Sequence, residues 1–412
     1  MRRKIFILCL LLSALGIFAC ANAGYTEDFA RKNAFISESA DFENTSIYLE
    51  DYDQFWQVLE DYYPFLPLLR NMDIDVEDIK KSYREQVTKI DSAEGLKVIL
   101  DQVTRQLGNY AHLRLVNYDD IKLYQGLEEE GDFSSKRWCE VLLNEKTLAL
   151  FKDESESEEP IDKNGSSNFR FVSHKYLDDY DAVYIRIDSF THSSVMSDSC
   201  LMEYCLKGHE DCENIIFDIT SNGGGDASYW FDNIVAPLGG EYSYHQELYF
   251  IDSPLYREFY DNGSGSFEHL NMDYSERKKI EEITGIDDLS IKSNVDFKFY
   301  GENYGNDIIE NHAKKWLLVS EDTYSSADMF TDFCKQTGWA TVVGRRTGGD
   351  GVCDPVVVML DNTGICIRFT LAVRLNDKGL VNNLYGTVPD IISKKNEKPL
   401  DTVLRLIKEG RK

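Results

Sequence analysis

The sequence predicts an α/β core entered through a helical segment, and three observations carry the prediction. Before about residue 120, apolar residues recur at helical spacing. From Asp181 onward, short apolar strands alternate with loops and helices. Two of those strands run directly into turns, one rich in glycine and one in serine, that open the next helix.

In the first part, Asp51 begins a segment carrying Phe55, Trp56, Val58, Leu59, Tyr62 and Tyr63, which Pro64 and Pro67 are expected to end. Asp75 is placed to cap a helix with Ile79, Tyr83, Val87 and Ile90 on one face. Ser92 is placed to cap another, with Leu96, Ile99, Leu100, Val103 and Leu107. Gly108-Asn109 is a C-terminal stop, and His112 lies just beyond it. Residues 24–124 therefore read as a helical domain. Residues 125–175 read as an acidic linker with room for a small hairpin; it holds Glu128-Glu129-Glu130, the run 153–159 and Asn164-Gly165-Ser166-Ser167.

The core is expected to span 176–412. Strands are expected at 182–187, 214–219, 316–319 and 340–343, and helices at 197–207, 227–235 and 326–336. A hairpin is expected over 356–375 around Asp361-Asn362-Thr363-Gly364, followed by a last amphipathic helix carrying Leu400, Val403, Leu404 and Ile407. Residues 239–312 form an aromatic-rich insertion without a readable period.

The amino terminus reads as a signal peptide over residues 1–23. Arg2, Arg3 and Lys4 precede an apolar run, and Ala21-Asn22-Ala23 fits a cleavage site. The expectation is an extracytoplasmic protein, secreted or periplasmic, without a stable membrane span. Ile17-Phe18-Ala19-Cys20 weakly resembles a lipobox, so a lipid anchor on Cys20 is the alternative to free secretion. The formal net charge of −28 argues against nucleic acid and anionic membranes as partners. Cys139, Cys200, Cys205, Cys212, Cys334, Cys353 and Cys366 follow the signal, an odd count that leaves at least one thiol unpaired within the chain. Cys200, Cys205, His209 and Cys212 match no standard zinc spacing; a local disulfide or plain helix packing is expected there rather than a metal. Nothing in the sequence sets the oligomeric state.

Two junctions can carry chemistry. In Asp218-Ile219-Thr220-Ser221-Asn222-Gly223-Gly224-Gly225-Asp226, glycines after a buried strand let the backbone approach a ligand and turn N–H groups toward it. Such donors suit an oxyanion; the plain alternative is a tight turn. In Glu321-Asp322-Thr323-Tyr324-Ser325-Ser326-Ala327-Asp328, Ser325 sits where a helix begins and free N–H groups favour negative charge. That suits a serine nucleophile, and the plain alternative is an N-cap.

Taken in order, these segments resemble the C-terminal processing proteases. Asp218 to Gly225 is similar to the family's D-L-R-x-N-x-G-G, and Thr323 to Asp328 to its T-x-S-A-S-E. Val342-Val343-Gly344-Arg345-Arg346-Thr347-Gly348-Gly349 is similar to V-V-G-x-x-T-x-G, and Gly386-Thr387-Val388-Pro389-Asp390 to G-V-x-P-D. The resemblance covers about 184–392. It implies a crotonase/Clp-protease-like core, peptide or protein substrates, and no metal or organic cofactor. Matched position by position, Ser325 is the nucleophile. The oxyanion hole is Ser326 N–H with that of a glycine, Gly224 first and Gly225 as the other candidate.

The dyad type of the family places a lysine shortly after the T-x-G stretch, where this chain has Asp350. The tricorn-type branch uses an earlier histidine, and Leu107-Gly108-Asn109-Tyr110-Ala111-His112 resembles its L-x-D-G-H stretch, which makes His112 the general base. The chain departs from that branch at Ala111, where a serine is usual, at Asn383, where a glutamate is usual, and at Thr220 in place of arginine. Asp350, Asp377 and Asp390 are candidates to replace the missing carboxylate. No PDZ-like pattern lies between His112 and the core. The alternative to an active peptidase is an inactive member of the same scaffold that binds peptides or hydrophobic ligands.

Overall fold

The computed structural model describes residues 42–132, 135–156, 170–260, 268–300 and 308–410; the expected signal peptide and the stretch 164–167 lie outside them. The central sheet runs Ile391–Ile392, Thr341–Gly344, Lys314–Val319, Asn214–Asp218, Ala182–Ile187, Val172–Leu177. Neighbours are parallel except the last pair, which is antiparallel. Parallel strands covered on both faces need apolar residues at successive positions, and Asn214–Asp218 is buried throughout. On one face, Phe330 and Phe333 of the helix Ser326–Thr337 pack on Trp230, with ring centres 5.2 and 5.1 Å apart. On the other, Ile216, Trp316 and Leu318 lie under Val403 and Leu406 of the helix Pro399–Lys408.

The central-sheet strands fall within two residues of expectation, whereas the second strand of the expected hairpin stops at Phe369 and Val373–Arg374 pairs with the insertion instead. The helix expected over 197–207 contracts to Leu201–Leu206, and that over 227–235 widens after Trp230 into a π turn, Phe231–Val235. Asp75 and Ser92 cap their helices, accepting from Asp78 N–H at 2.9 Å and Gly95 N–H at 3.2 Å. Pro67 does not end a helix. It lies in the first turn of Leu66–Asn71, where a missing N–H leaves no bond unmade.

Much of the stretch expected as linker is packed structure. The helix Tyr118–Glu129 reaches into it, followed by Lys136–Leu142 and Glu145–Ala149 rather than a hairpin. Trp138, Cys139 and Leu142 share one buried face, and Trp138 Nε1–H donates to Pro355 O at 2.8 Å. The insertion is built on a long antiparallel pair, Glu241–Ile251 with Leu289–Tyr300, flanked by Glu268–Asn271 and Val373–Arg374. The described cysteines are all free thiols; Cys205 and Cys212 are buried, and His209 stacks on Tyr176 with ring centres 3.8 Å apart. No helix among the described residues is long and apolar enough to cross a membrane.

A third, small sheet docks the amino-terminal helices onto the core. Arg114–Leu115 pairs with Cys366–Phe369, which pairs in turn with Val356–Met359. Asp51 of the helix Phe42–Tyr62 accepts from the N–H groups of Asn362 and Thr363 at 2.9 and 2.7 Å, gripping the tip of the hairpin. Beneath the sheet, Asp120 accepts from Arg114 at 2.6 and 2.8 Å and from Arg368 at 2.6 Å. Burial alone would raise the Asp120 carboxyl, but the two guanidinium groups outweigh it and hold it at about 2.

A depressed carboxyl stabilises the fold above its unfolded value and loses that contribution as pH falls through its folded value. Asp120 should therefore stabilise fully above the ordinary 3.8 and lose its effect toward about 2. Asp120→Asn removes the carboxylate that faces buried Arg368 and half-buried Arg114 and is expected to cost about 3–5 kcal/mol. Urea unfolding at neutral pH measures this directly.

Candidate functional site

The serine junction is under backbone strain. Ser325 precedes the helix Ser326–Thr337 at φ 56° and ψ −127°, and its side chain makes no capping bond. The N-cap alternative therefore does not account for it. Eight non-glycine residues among those described have positive φ, and Ala111, His112, Ser325 and Asp350 are four of them. Each such residue costs on the order of 1–3 kcal/mol, and this concentration at one place marks a geometry held for use.

The small docking sheet delivers His112 to that place. Thr370 N–H donates to Ala111 O at 2.8 Å, and His112 N–H donates to the Tyr324 hydroxyl at 2.9 Å. The Tyr324 ring lies against the imidazole, centres 4.8 Å apart. On the imidazole, Nδ1 is in ion-pair contact with Asp350 Oδ2 and lies 3.0 Å from Thr370 Oγ1. Nε2 is buried and has no hydrogen-bond partner among the described residues. With Nδ1–H facing a carboxylate, the neutral ring presents its lone pair at Nε2.

Asp350 is the hub. Its Oδ2 accepts from the Tyr324 hydroxyl at 2.9 Å and the Thr370 hydroxyl at 3.0 Å, and its Oδ1 accepts from Asn383 Nδ2. Burial would raise this carboxyl, but the His112 charge and the hydrogen bonds from His112, Tyr324 and Asn383 win, holding it below the ordinary value. Burial also lowers His112, which the opposing Asp350 charge only partly offsets. The pair is thus an ionised carboxylate beside a neutral imidazole at pH 7.

Asn383 supports Asp350 instead of meeting the imidazole, and its Nδ2 also donates to Ala372 O at 3.0 Å. Asp377 and Asp390 lie elsewhere, paired with Lys335 at 3.3 and 3.4 Å. Asp350 therefore provides the carboxylate that position 383 lacks. Ser325 and His112 are not hydrogen-bonded to each other. Asp350, the residue in contact with His112, lines one small cavity together with Ser325, Ser326, Met329, Val352, Cys353 and Asp354.

The glycine loop adjoins the serine. A Cβ on Gly224 would lie 2.7 Å from Tyr324 O, 2.8 Å from Ser325 Cβ and 3.0 Å from Ser326 N. Asn222, fully buried, shapes the loop: its Nδ2 donates to Ile187 O at 3.1 Å and its Oδ1 accepts from Gly224 N–H at 2.8 Å. That bond commits the Gly224 N–H, expected as an oxyanion donor. The N–H groups of Gly225 and Ser326 make no hydrogen bond among the described residues. Below the serine, buried Asp328 accepts from Thr347 Oγ1 at 2.5 Å, Gly351 N at 3.2 Å and Arg374 at 3.2 Å, tying the start of the helix to the loop that carries Asp350.

Sequence reasoning did not find Tyr324 and Thr370. Tyr324 occupies the unspecified position of T-x-S, and Thr370 follows a hairpin strand, so neither stands in a motif.

A family model described as Peptidase family S41 matches residues 181–393. No curated protein matches the sequence significantly. Among solved structures, one described as a peptidase of Parabacteroides merdae ATCC 43184 superimposes with a TM-score of 0.52 at 16% identity, covering 87% of this chain and 96% of that one. A lipoprotein from Streptococcus agalactiae gives 0.44 at 13% identity, over 92% and 99%. Mature CPAF gives 0.47 at 13%, over 85% and 93%. The first of these supports the likeness of fold.

Proposed function

Because this chain belongs to peptidase family S41, a family of serine peptidases, we propose that it is an exported hydrolase that cuts peptide bonds through an acyl-enzyme on Ser325. His112 acts as general base and then general acid, and Asp350 is its partner. The observation that carries this reading is the imidazole itself: Nδ1 is held by a carboxylate and a hydroxyl, while Nε2 is buried and unbonded. A buried nitrogen without a partner is costly unless something else pairs with it during turnover.

In the reaction, Nε2 takes the Ser325 hydroxyl proton as Oγ attacks the peptide carbonyl carbon. The carbonyl oxygen becomes an oxyanion, and the free N–H groups of Ser326 and Gly225 are its donors. The C–N bond breaks as the imidazolium returns the proton to the leaving amine. Water, deprotonated in the same way, then hydrolyses the ester. Gly224 contributes space beside the serine rather than a donor. Export rests on the signal-like residues 1–23.

Gly224→Ala places a methyl group against Tyr324 O and Ser326 N, at a backbone φ of +99° that side chains rarely adopt. It is expected to lower kcat/KM by about 10²–10³, the range seen when an oxyanion donor is lost, with folding checked by near-UV circular dichroism. The reading as a whole is tested by exposing the mature protein to a peptide library and identifying the cuts by mass spectrometry. Cleavage that disappears in Ser325→Ala supports it. Retention of peptides without cleavage, by both proteins alike, favours the inactive binding scaffold.

A further inference from the structure

The cavity between Ser325 and the loop after Asp350 has a volume of about 10 Å³, room for roughly one water and for no peptide. Its roof is Val352, Cys353 and Asp354, and this roof is held from outside the catalytic motifs. Gln246 Nε2, from the long hairpin of the insertion, donates to Gly351 O at 2.6 Å. The Tyr260 hydroxyl, just after the insertion helix Pro254–Phe259, donates to Asp354 O. Trp138 Nε1, from the helix Lys136–Leu142, donates to Pro355 O at 2.8 Å.

Two of the three gripping elements also brace one another, the helix of Trp138 and the segment of Tyr260. Trp138 packs edge-on against Phe259 with ring centres 4.8 Å apart, and Arg137 pairs with Glu258. Accessory elements thus grip three carbonyls within five residues of one loop. The anchors of Asp350 lie on its other side, at His112, Tyr324, Thr370 and Asn383. Gly351 N–H donates to Asp328 Oδ2 at 3.2 Å, which fixes the base of the loop. The stretch beyond it can therefore swing about Gly351 while Asp350 stays in place, breaking the bond from Val352 N–H to Asp350 O at 3.0 Å.

We infer that residues 351–355 are a latch over Ser325, and that Gln246, Tyr260 and Trp138 are the catch that keeps the peptidase closed until a substrate or partner draws the accessory elements away. The inference rests on the proposed role of Ser325, yet its first readout does not depend on catalysis. Cys353 is a buried free thiol on the latch, 5% exposed. Burial pushes this thiol up to about 12, so it reacts with an alkylating reagent only when the loop opens.

The test measures two rates in wild type, Tyr260→Phe, Gln246→Met and the double variant: alkylation of Cys353 by N-ethylmaleimide, followed by peptide mapping, and phosphonylation of Ser325 by a fluorophosphonate. Gln246→Met removes the bonds to Gly351 O and to the Tyr244 hydroxyl. Tyr260→Phe removes the bond to Asp354 O together with a contact to Cys353 itself, so Gln246→Met is the deciding variant. Each is expected to raise both rates on the order of 5-fold, more in the double. Unchanged Cys353 alkylation in folded variants overturns the latch. Faster alkylation without faster phosphonylation, where wild-type Ser325 does react, overturns its control of the site. Faster alkylation with no phosphonylation in any protein, wild type included, overturns the gating claim together with the serine-peptidase reading.

Discussion

Ser325→Ala, His112→Ala and the double variant are expected to lose kcat by the same factor, on the order of 10⁶, because a nucleophile and its base act as one unit. Without the imidazole, the Ser325 hydroxyl keeps its proton at neutral pH; without the hydroxyl, the imidazole has nothing to activate. What survives is the contribution of binding and of the oxyanion donors, and it should be equal in all three proteins. The comparison is made on one cleaved peptide, with single-turnover kinetics to isolate the acylation step. Losses that multiply in the double variant would show that the two residues serve separate steps.

Asp350→Asn has the second-largest expected effect, a loss on the order of 10⁴ in kcat with the fold retained. The local bonds set its direction. Asn383 Nδ2 donates to Oδ1, so the new amide keeps its oxygen there and turns its NH₂ toward the site of Oδ2. That NH₂ faces Nδ1 and makes it an acceptor, which moves the imidazole proton to Nε2 and removes the lone pair the serine needs. The pH profile gives a second signature. Acylation requires neutral His112, and burial lowers its pKa below 6.5, so the rate should rise with pH through a value under 6.5 and be level at 7. The Asp350 charge favours the protonated ring; removing it should move this acid limb to still lower pH.

The sequence made the core legible because its signals are local. Fully buried parallel strands must be apolar runs, and the turns at Gly223–Gly225 and Ser325 need small residues where strand gives way to helix. Ser325, Ser326 and His112 became candidates this way, His112 through a stop signal and a motif on the same short segment. The role of Asp350 could not be read, because it depends on the docking sheet bringing residue 112 to residue 350 across the fold. Its position beside a glycine stretch gave the candidate but not the partner.

The insertion failed for a different reason. Tyr244, Gln246, Leu248 and Phe250 share one buried face, but Gln246 is polar and breaks the apolar period, and Tyr249 is buried out of turn. Its burial has its own cause, the bonds to Gly351 O and to the Tyr244 hydroxyl. The supposed linker misled through its acidic composition, although Trp138, Cys139 and Leu142 already had helical spacing. Composition reports the solvent face of such short helices, and their buried face is a few residues wide.

The most direct measurement is mass-spectrometric mapping of the adduct formed by a fluorophosphonate on wild type, Ser325→Ala, His112→Ala and Tyr260→Phe. The account predicts a single phosphonylated serine, Ser325, lost in the first two variants and formed faster in the third. An adduct on another residue, or none on Ser325 in Tyr260→Phe protein whose Cys353 alkylates rapidly, would contradict it.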